Sequence, residues 1–321
     1  MERVKFSRKP RLRNPYLIVA WPGMGEVAFK AASFLIDKLK AEEFAEIEAN
    51  DFFFITESIV LDGVLTLPEM PFSRFYCVKQ KGAKNDLIIF LSDAQPDLAR
   101  AEEYCASIIA VAKKYKVKNV IGFAAMPQPV DHSQQPNVWF TATSAQMNSQ
   151  LKKFDLQPLT EGQISGLNGL FLGLAKKAGF DGFCLLGEIP LYTIQIENPK
   201  ASFAVLEAMC KVLGLEINLS ELLDQAHAME EQINGLMEHL KMGPVPGPIG
   251  EDEIEKIKKT LSQLTKLPLS VKDRIEKLFV QAKNDITKAG ELKSELDKWS
   301  VYKDYEDRFL DLFKSSKDKN N

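Results

Sequence analysis

The sequence predicts an α/β fold, a mainly parallel sheet with helices on both faces, followed by a C-terminal α-helical extension. Three observations carry that prediction. The first apolar run, Tyr16-Leu17-Ile18-Val19-Ala20-Trp21, is closed by Pro22-Gly23-Met24-Gly25 and then by a helical pattern. Further apolar runs of strand length recur downstream, separated by segments of helical periodicity. Near residue 219 the pattern changes to long heptad-like stripes broken by Gly and Pro.

In order along the chain, Tyr16 to Trp21 reads as a buried strand, because a run apolar at every position has both faces covered. Glu26 to Lys40 follows as a helix, with Val27, Ala31, Phe34, Leu35 and Leu39 at helical spacing. Strands are expected at Asp51–Ile55, Arg74–Lys79 and Asp86–Leu91, the last ending in Ser92-Asp93. A helix over about Leu98–Tyr115 presents Ala101, Cys105, Ile108, Ile109 and Ala112 on one face. Asn119–Ala124 and Val138–Thr143 read as strands, Gly169–Lys177 as helix, Phe183–Leu186 as strand and Lys200–Leu213 as helix. The basic run Lys5 to Arg13 reads as a solvated tail leading into the first strand.

Leu219, Leu222, Ala226, Met229, Ile233, Leu236 and Leu240 form a stripe, with Asn218 and Glu221 placed as a capping box. Gly243-Pro244-Val245-Pro246-Gly247-Pro248 then ends any helix. This predicts an α/β domain over 1–242, a Gly/Pro linker at 243–250 and a helical extension over 251–321. The stripe resumes at Ile254, Ile257, Leu261 and Leu264, then at Val271, Ile275, Leu278, Ala282, Ile286, Ala289, Leu292, Leu296 and Trp299. Such stripes bury themselves against the parent domain or one another, or pair between chains as a coiled coil.

Composition bounds the function. A net charge of −3 without a strong basic cluster argues against a nucleic-acid partner. No apolar stretch is long enough to span a membrane, and the N-terminus lacks an apolar signal core, so the expectation is a cytoplasmic protein. The four cysteines (77, 105, 184 and 210) are scattered in apolar runs without a C-x-x-C pair, as buried reduced thiols are.

Gly23-Met24-Gly25-Glu26-Val27-Ala28 formally matches G-x-G-x-x-A between a strand and a helix, which suits a dinucleotide pyrophosphate at a helix N-terminus. Pro22 removes an amide from that turn, Glu26 adds a repelling charge, and no clean second strand delivers Glu46 or Glu48 as the ribose acid. The competing reading is a tight βα turn with close helix–sheet packing. There is no P-loop and no G-x-S-x-G nucleophile elbow. Asp93 and Asp97 stand at a strand end, placed either to bind a hydroxyl or a metal or to cap the next helix. His132 with Asp131 occupies a polar loop after a strand, placed to polarise a water or a hydroxyl, while His227 and Glu231 share a helix face that suits either a metal or, as the favoured reading, surface ion pairing. Gly162-Gln163-Ile164-Ser165-Gly166-Leu167-Asn168-Gly169 offers free amides and polar side chains before a helix, and Glu188 follows a strand. Loops 22–25, 162–169 and 187–192 are expected to converge on one crevice. The candidate ligand-binding residues are therefore Gly23, Met24, Gly25, Asp93, Ser165, Asn168 and Glu188, with no catalytic residue and no metal site expected.

Trp21-Pro22-Gly23-Met24-Gly25, Gly162-Gln163-Ile164-Ser165-Gly166-Leu167-Asn168-Gly169-Leu170 and Leu185-Leu186-Gly187-Glu188-Ile189-Pro190 together resemble the conserved blocks of the proteasome assembly chaperone 2 family. Asn198-Pro199-Lys200-Ala201 and Leu213-Gly214-Leu215-Glu216-Ile217-Asn218-Leu219-Ser220-Glu221-Leu222 are similar to its close. The resemblance covers residues 14 to 241. It implies one α/β domain assembled into homo-oligomers and a role in proteasome assembly, as in eukaryotic members, or proteasome association, as in archaeal ones. Prokaryotic relatives carry a possible ATP-grasp label, but no lysine-and-carboxylate arrangement of that kind stands out here. Members that dock on proteasomes use a C-terminal hydrophobic-Tyr-any residue tail, which the ending Lys317-Asp318-Lys319-Asn320-Asn321 lacks, so docking by that route is not expected. The favoured function is a self-associating, non-catalytic assembly chaperone or scaffold that takes a protein partner and no cofactor. The alternative is a small-ligand or nucleotide-binding enzyme with its site at the glycine turn.

Overall fold

Alternation along two short strands explains the architecture. In Tyr16–Ala20 (β2), Leu17 and Val19 enter one core while Ile18 and Ala20 enter the other. In Leu87–Ser92 (β7), Ile88 and Phe90 join the first core, and Leu87, Ile89 and Leu91 join the second. Successive side chains point to opposite faces, so a strand apolar throughout must have both faces covered. In this computed structural model, which describes residues 3–56, 58–61, 63–80, 84–239, 269–298 and 302–317, both faces are covered.

The remaining elements are β1 (Val4–Phe6), α1 (Val27–Lys38), β3 (Glu42–Ile47), β4 (Ile59–Leu61), β5 (Val64–Thr66), β6 (Ser73–Val78), α2 (Ala101–Lys114) and β8 (Asn119–Gln128). After them come β9 (Val138–Ala142), α3 (Ala145–Leu151), β10 (Gln157–Pro158), α4 (Leu167–Lys177), β11 (Asp181–Pro190), α5 (Pro199–Leu213) and α6 (Ser220–His239). The sheet order is β1-β3-β6-β7-β2-β8-β11-β9-β10. Its centre, β7-β2-β8-β11, is parallel, whereas β6, β3 and β1 on one side and β9 on the other run antiparallel to their inner neighbours. Helices α2 and α4 close one face, and α1, α3, α5 and α6 close the other. The predicted mainly parallel sheet with helices on both faces is therefore present, with antiparallel margins added to it.

Two local expectations need correction, and one element stands outside them. The basic run is not simply a tail: Val4–Phe6 is an edge strand on β3, with Lys5 paired to Glu48 at 2.5 Å and Arg8 to Glu42 at 2.9 Å. The strand expected at Asp51–Ile55 lies earlier, at Glu42–Ile47. Phe52 and Phe53 instead anchor a loop against Tyr104, with ring centroids 5.1 and 5.9 Å away, while Phe54 and Ile55 are exposed. An unbroken aromatic run imitates a buried strand, but here each ring has a different surrounding. The added element is the hairpin β4–β5, whose sequence mark is Asp62-Gly63 between Ile59-Val60-Leu61 and Val64-Leu65-Thr66.

The described residues fall into two compact units, the larger within Met1–Ser58 and Leu67–Lys258, the smaller within Ile59–Thr66 and Lys259–Asn321. In the smaller, helices α7 (Leu269–Asn284), α8 (Ala289–Lys298) and α9 (Tyr302–Lys317) share a core of Ile275, Phe279, Ala282, Leu292, Leu296, Phe309 and Leu312. The stripe thus packs helix on helix within the chain, and Ile286 alone of its central members is left 40% exposed. The predicted linker 243–250 and the stripe at Ile254–Leu264 lie outside the described residues.

Candidate functional site

The glycine turn leaves β2 at Trp21, where the strand would run out of partners. Asn168, in the first turn of α4, supplies them: its Oδ1 accepts from the Trp21 N–H at 3.1 Å, and its Nδ2 donates to the Trp21 carbonyl at 3.0 Å. Only a carboxamide offers a donor and an acceptor side by side, so it stands in for one residue of a neighbouring strand. Trp21 itself is fully buried between Phe90, Phe171 and Tyr104, with centroids 5.4 to 6.4 Å away. Gln95 extends the same device. Its Nε2 donates to the Pro22 carbonyl at 2.8 Å, and its Oε1 accepts from the Leu167 N–H at 3.1 Å.

These ties hold loops 22–24 and 162–168 apart around a crevice of about 260 Å³. Its floor is the end of β8, Ala124 to Pro127, with Leu186 of β11, and its walls include Gly23, Met24, Gln163, Ser165 and Asn168. This is the carboxyl end of the parallel strands, where open α/β sheets place their ligand sites. Loop 162–165 is seated by Gly169: a Cβ there would collide with the Ile164 carbonyl, so only glycine lets the loop lie on α4.

The other predicted residues lie elsewhere. Gly25 is buried with φ 61°, in the left-handed region, and faces Ile189 and Asn198. Its N–H donates to the Ile194 carbonyl at 2.8 Å, and its carbonyl accepts from the Asn198 N–H at 2.7 Å. The Glu26 N–H is taken by the Gly23 carbonyl at 3.0 Å. Two of the amides that a pyrophosphate would need are thus engaged, and β3, which ends beside Glu48, stands three strands away from β2. Asp93 accepts from the Phe72 N–H at 2.7 Å and joins the strand ends of β6 and β7, while Asp97 caps a short helical turn through the Ala99 N–H at 2.7 Å.

Glu188 is buried and does not line the crevice. Its carboxylate accepts from the Asn137 N–H at 3.0 Å, the Asn137 Nδ2 at 2.9 Å and the Trp139 Nε1 at 2.8 Å, which clamps the 137–139 segment to β11. Loops 22–24 and 162–168 therefore converge as expected, but loop 187–192 does not line the same cavity. It borders a small pocket of about 30 Å³, enough for one water, together with His132, Lys200 and Glu230. There His132 contacts the Tyr192 hydroxyl through Nδ1 at 2.7 Å and the Asn234 Oδ1 through Nε2 at 2.8 Å. The Nε2–H tautomer satisfies both, with the tyrosine donating to Nδ1. Lys200 donates to the carbonyls of His132 and Ser133 and to Glu230 at 2.8 Å, so this network fastens α6 to the sheet. Burial raises the Tyr192 hydroxyl well above its ordinary pKa, as it does the thiols of Cys105 and Cys184, both to about 12.

The model of the PAC2 family matches residues 17–237. The chain belongs to the PAC2 family. An uncharacterized protein of Methanocaldococcus jannaschii is 31% identical over 251 residues, covering 75% of this chain and 92% of that one. Among solved structures, PbaB of Pyrococcus furiosus, an archaeal proteasome activator, is similar at 28% identity and a TM-score of 0.62, covering 73% of this chain and 97% of its own. PbaA of the same organism, an archaeal homolog of proteasome-assembly chaperone, is similar at 28% identity and a TM-score of 0.56, covering 74% and 98%. The PAC2 span contains the crevice, the Gly25 turn and the α6 network.

Two further groups within the PAC2 span, Gln95 and Lys30, stand outside the sequence-predicted set. Gln95 carries no local signal beyond its position after a strand. Lys30 does: three residues after Val27 and four before Phe34, it sits on the apolar face of α1, where a cation needs a partner. That partner is Glu197, 2.8 Å away, and both side chains are almost wholly enclosed.

Proposed function

We propose that this PAC2 protein is a non-catalytic assembly chaperone or scaffold that self-associates and serves a proteasome-type particle. The observation carrying this reading is the similarity to an archaeal proteasome activator over nearly that protein's whole length. The site supports it from a second direction. Asn168, Gln95, Glu188 and Asp93, the polar groups best placed for chemistry, all hold main chain or neighbouring side chains in position. Two measurements test the proposal: the mass of the purified chain by light scattering, and its co-sedimentation with a proteasome core particle. A monomer at tens of micromolar that neither binds the particle nor changes its peptide hydrolysis refutes it.

A second reading, a small ligand in the crevice, draws on the 260 Å³ cavity walled by Gly23, Met24, Ser165 and Asn168. A thermal-shift screen with nucleotides addresses it, since a ligand at 100 times its Kd adds about 2.7 kcal/mol of stability. No shift with any nucleotide removes the nucleotide form of that reading.

A further inference from the structure

The short turn that leads into α1, Met24–Glu26, carries two consecutive residues in the left-handed region, Gly25 at φ 61° and Glu26 at φ 51°. Glycine is at ease there, whereas glutamate is strained, and strain of that kind persists only where the surroundings enforce it. The enforcing contact is the pair of main-chain hydrogen bonds between Gly25 and the strap 191–198: Gly25 N–H to Ile194, and Asn198 N–H to Gly25. Residues 25 and 198 are pinned together, so their chain neighbours Glu26 and Glu197 are brought together as well. Glu197 already holds the Lys30 ammonium, one helical turn beyond Glu26. The half-buried Glu26 carboxyl therefore stands within electrostatic reach of the buried, ion-paired carboxylate of Glu197.

We propose that the Gly25–strap contact is a proton-controlled clasp, closed when the Glu26 carboxyl is protonated and loosened when it ionises. With the proton in place, Lys30 and Glu197 are balanced and Glu26 presents a neutral group to its neighbours. Without it, two carboxylates repel across the pinned residues, and the release available is parting of the turn from the strap. Burial first, and then the Glu197 charge, raises the Glu26 pKa to about 7, which puts the transition within reach of mild pH change. The other charged groups near Glu197 lie around the small pocket: Asp131, His132, Glu188, Lys200 and Glu230, with Lys200 engaged by Glu230. Gly23 and Met24, on the same turn, wall the crevice, so the clasp's state alters that wall whatever the crevice receives.

The two clasp donors are themselves the probes. Hydrogen exchange of the Gly25 and Asn198 amides in the full-length protein, divided by the intrinsic rate at each pH, is expected to show at least about tenfold less protection at pH 8.5 than at pH 6. Glu26→Gln should give the same protection at both pH values. Glu197→Gln, which removes the repelling carboxylate, should move the midpoint down. Flat protection in the wild type overturns the proposal, as does an unchanged pH dependence in Glu26→Gln or an unchanged midpoint in Glu197→Gln. If Glu26→Gln fails to fold, carboxyl-carbon NMR titration of the wild type decides: a Glu26 midpoint near that of an ordinary glutamate overturns it.

Discussion

Glu188 and Glu26 are both carboxylates at the C-terminal edge of the sheet, yet their surroundings are opposites. Glu188 lies on a regular strand and meets three donors, from Asn137 and Trp139. Glu26 lies on a strained turn, half out of water, and meets a second carboxylate. The contrast teaches that burial alone does not make an acid reactive. The donors that come with burial decide whether the charge is held or stands ready to be lost.

The largest effect should come from breaking the satisfied member. Glu188→Ala removes the buried acceptor of three hydrogen bonds and should cost about 4 kcal/mol in urea denaturation. A loss below about 1 kcal/mol would mean that the clamp adds little to the fold. The strained member should respond with the opposite sign. Its folded pKa of about 7 lies above the ordinary 4.5, so the stability it allows is full below pH 4.5 and is lost as pH rises to 7. Glu26→Gln escapes that loss and should exceed the wild type by about 3 kcal/mol at pH 8.5 while matching it near pH 4.5. An equal difference at both pH values would sever the effect from ionisation.

Smaller changes sharpen the same contrast between satisfied and unsatisfied groups. Asn168→Asp keeps the acceptor for Trp21 and loses the donor, placing a carboxylate oxygen against a carbonyl, and should cost about 2 kcal/mol in thermal or urea melts. Asn168→Leu tests the acceptor too and should cost more. The smallest effect belongs to Lys38→Ala, which removes a 2.7 Å tie from α1 to Glu221 on α6. Glu221 is exposed, so the loss should stay under about 1 kcal/mol and shrink further in high salt.

The legible parts of the molecule are those set by local pattern. The central strands, α1, α2, α4 and α5 follow from apolar periodicity, and the crevice loops follow from glycine-rich turns placed between strand and helix. Other features depend on partners remote in sequence and leave no local mark. Val4–Phe6 becomes a strand only because β3 offers it an edge. The turn at Gly25 copies a dinucleotide motif letter by letter, and the distinction lies in Ile194 and Asn198, which take up its main chain. Glu188 looks like an open carboxylate arm until Asn137 and Trp139, about fifty residues earlier, close on it. Lys30 was the exception, readable from its place on an apolar face.

Asn168's replacement of a strand partner at Trp21 also sets an order of events during synthesis. The ribosome releases β2 early, but the two hydrogen bonds that finish it come from a residue 147 positions later. The Gly25 turn waits longer still, for Ile194 and Asn198. Until then the first βα unit is an unfinished edge with exposed main-chain donors and acceptors, a surface that invites wrong pairings. The wall of the crevice is therefore among the last parts of the domain to close, and a nascent chain truncated before Asn198 should be open to proteolysis at that turn.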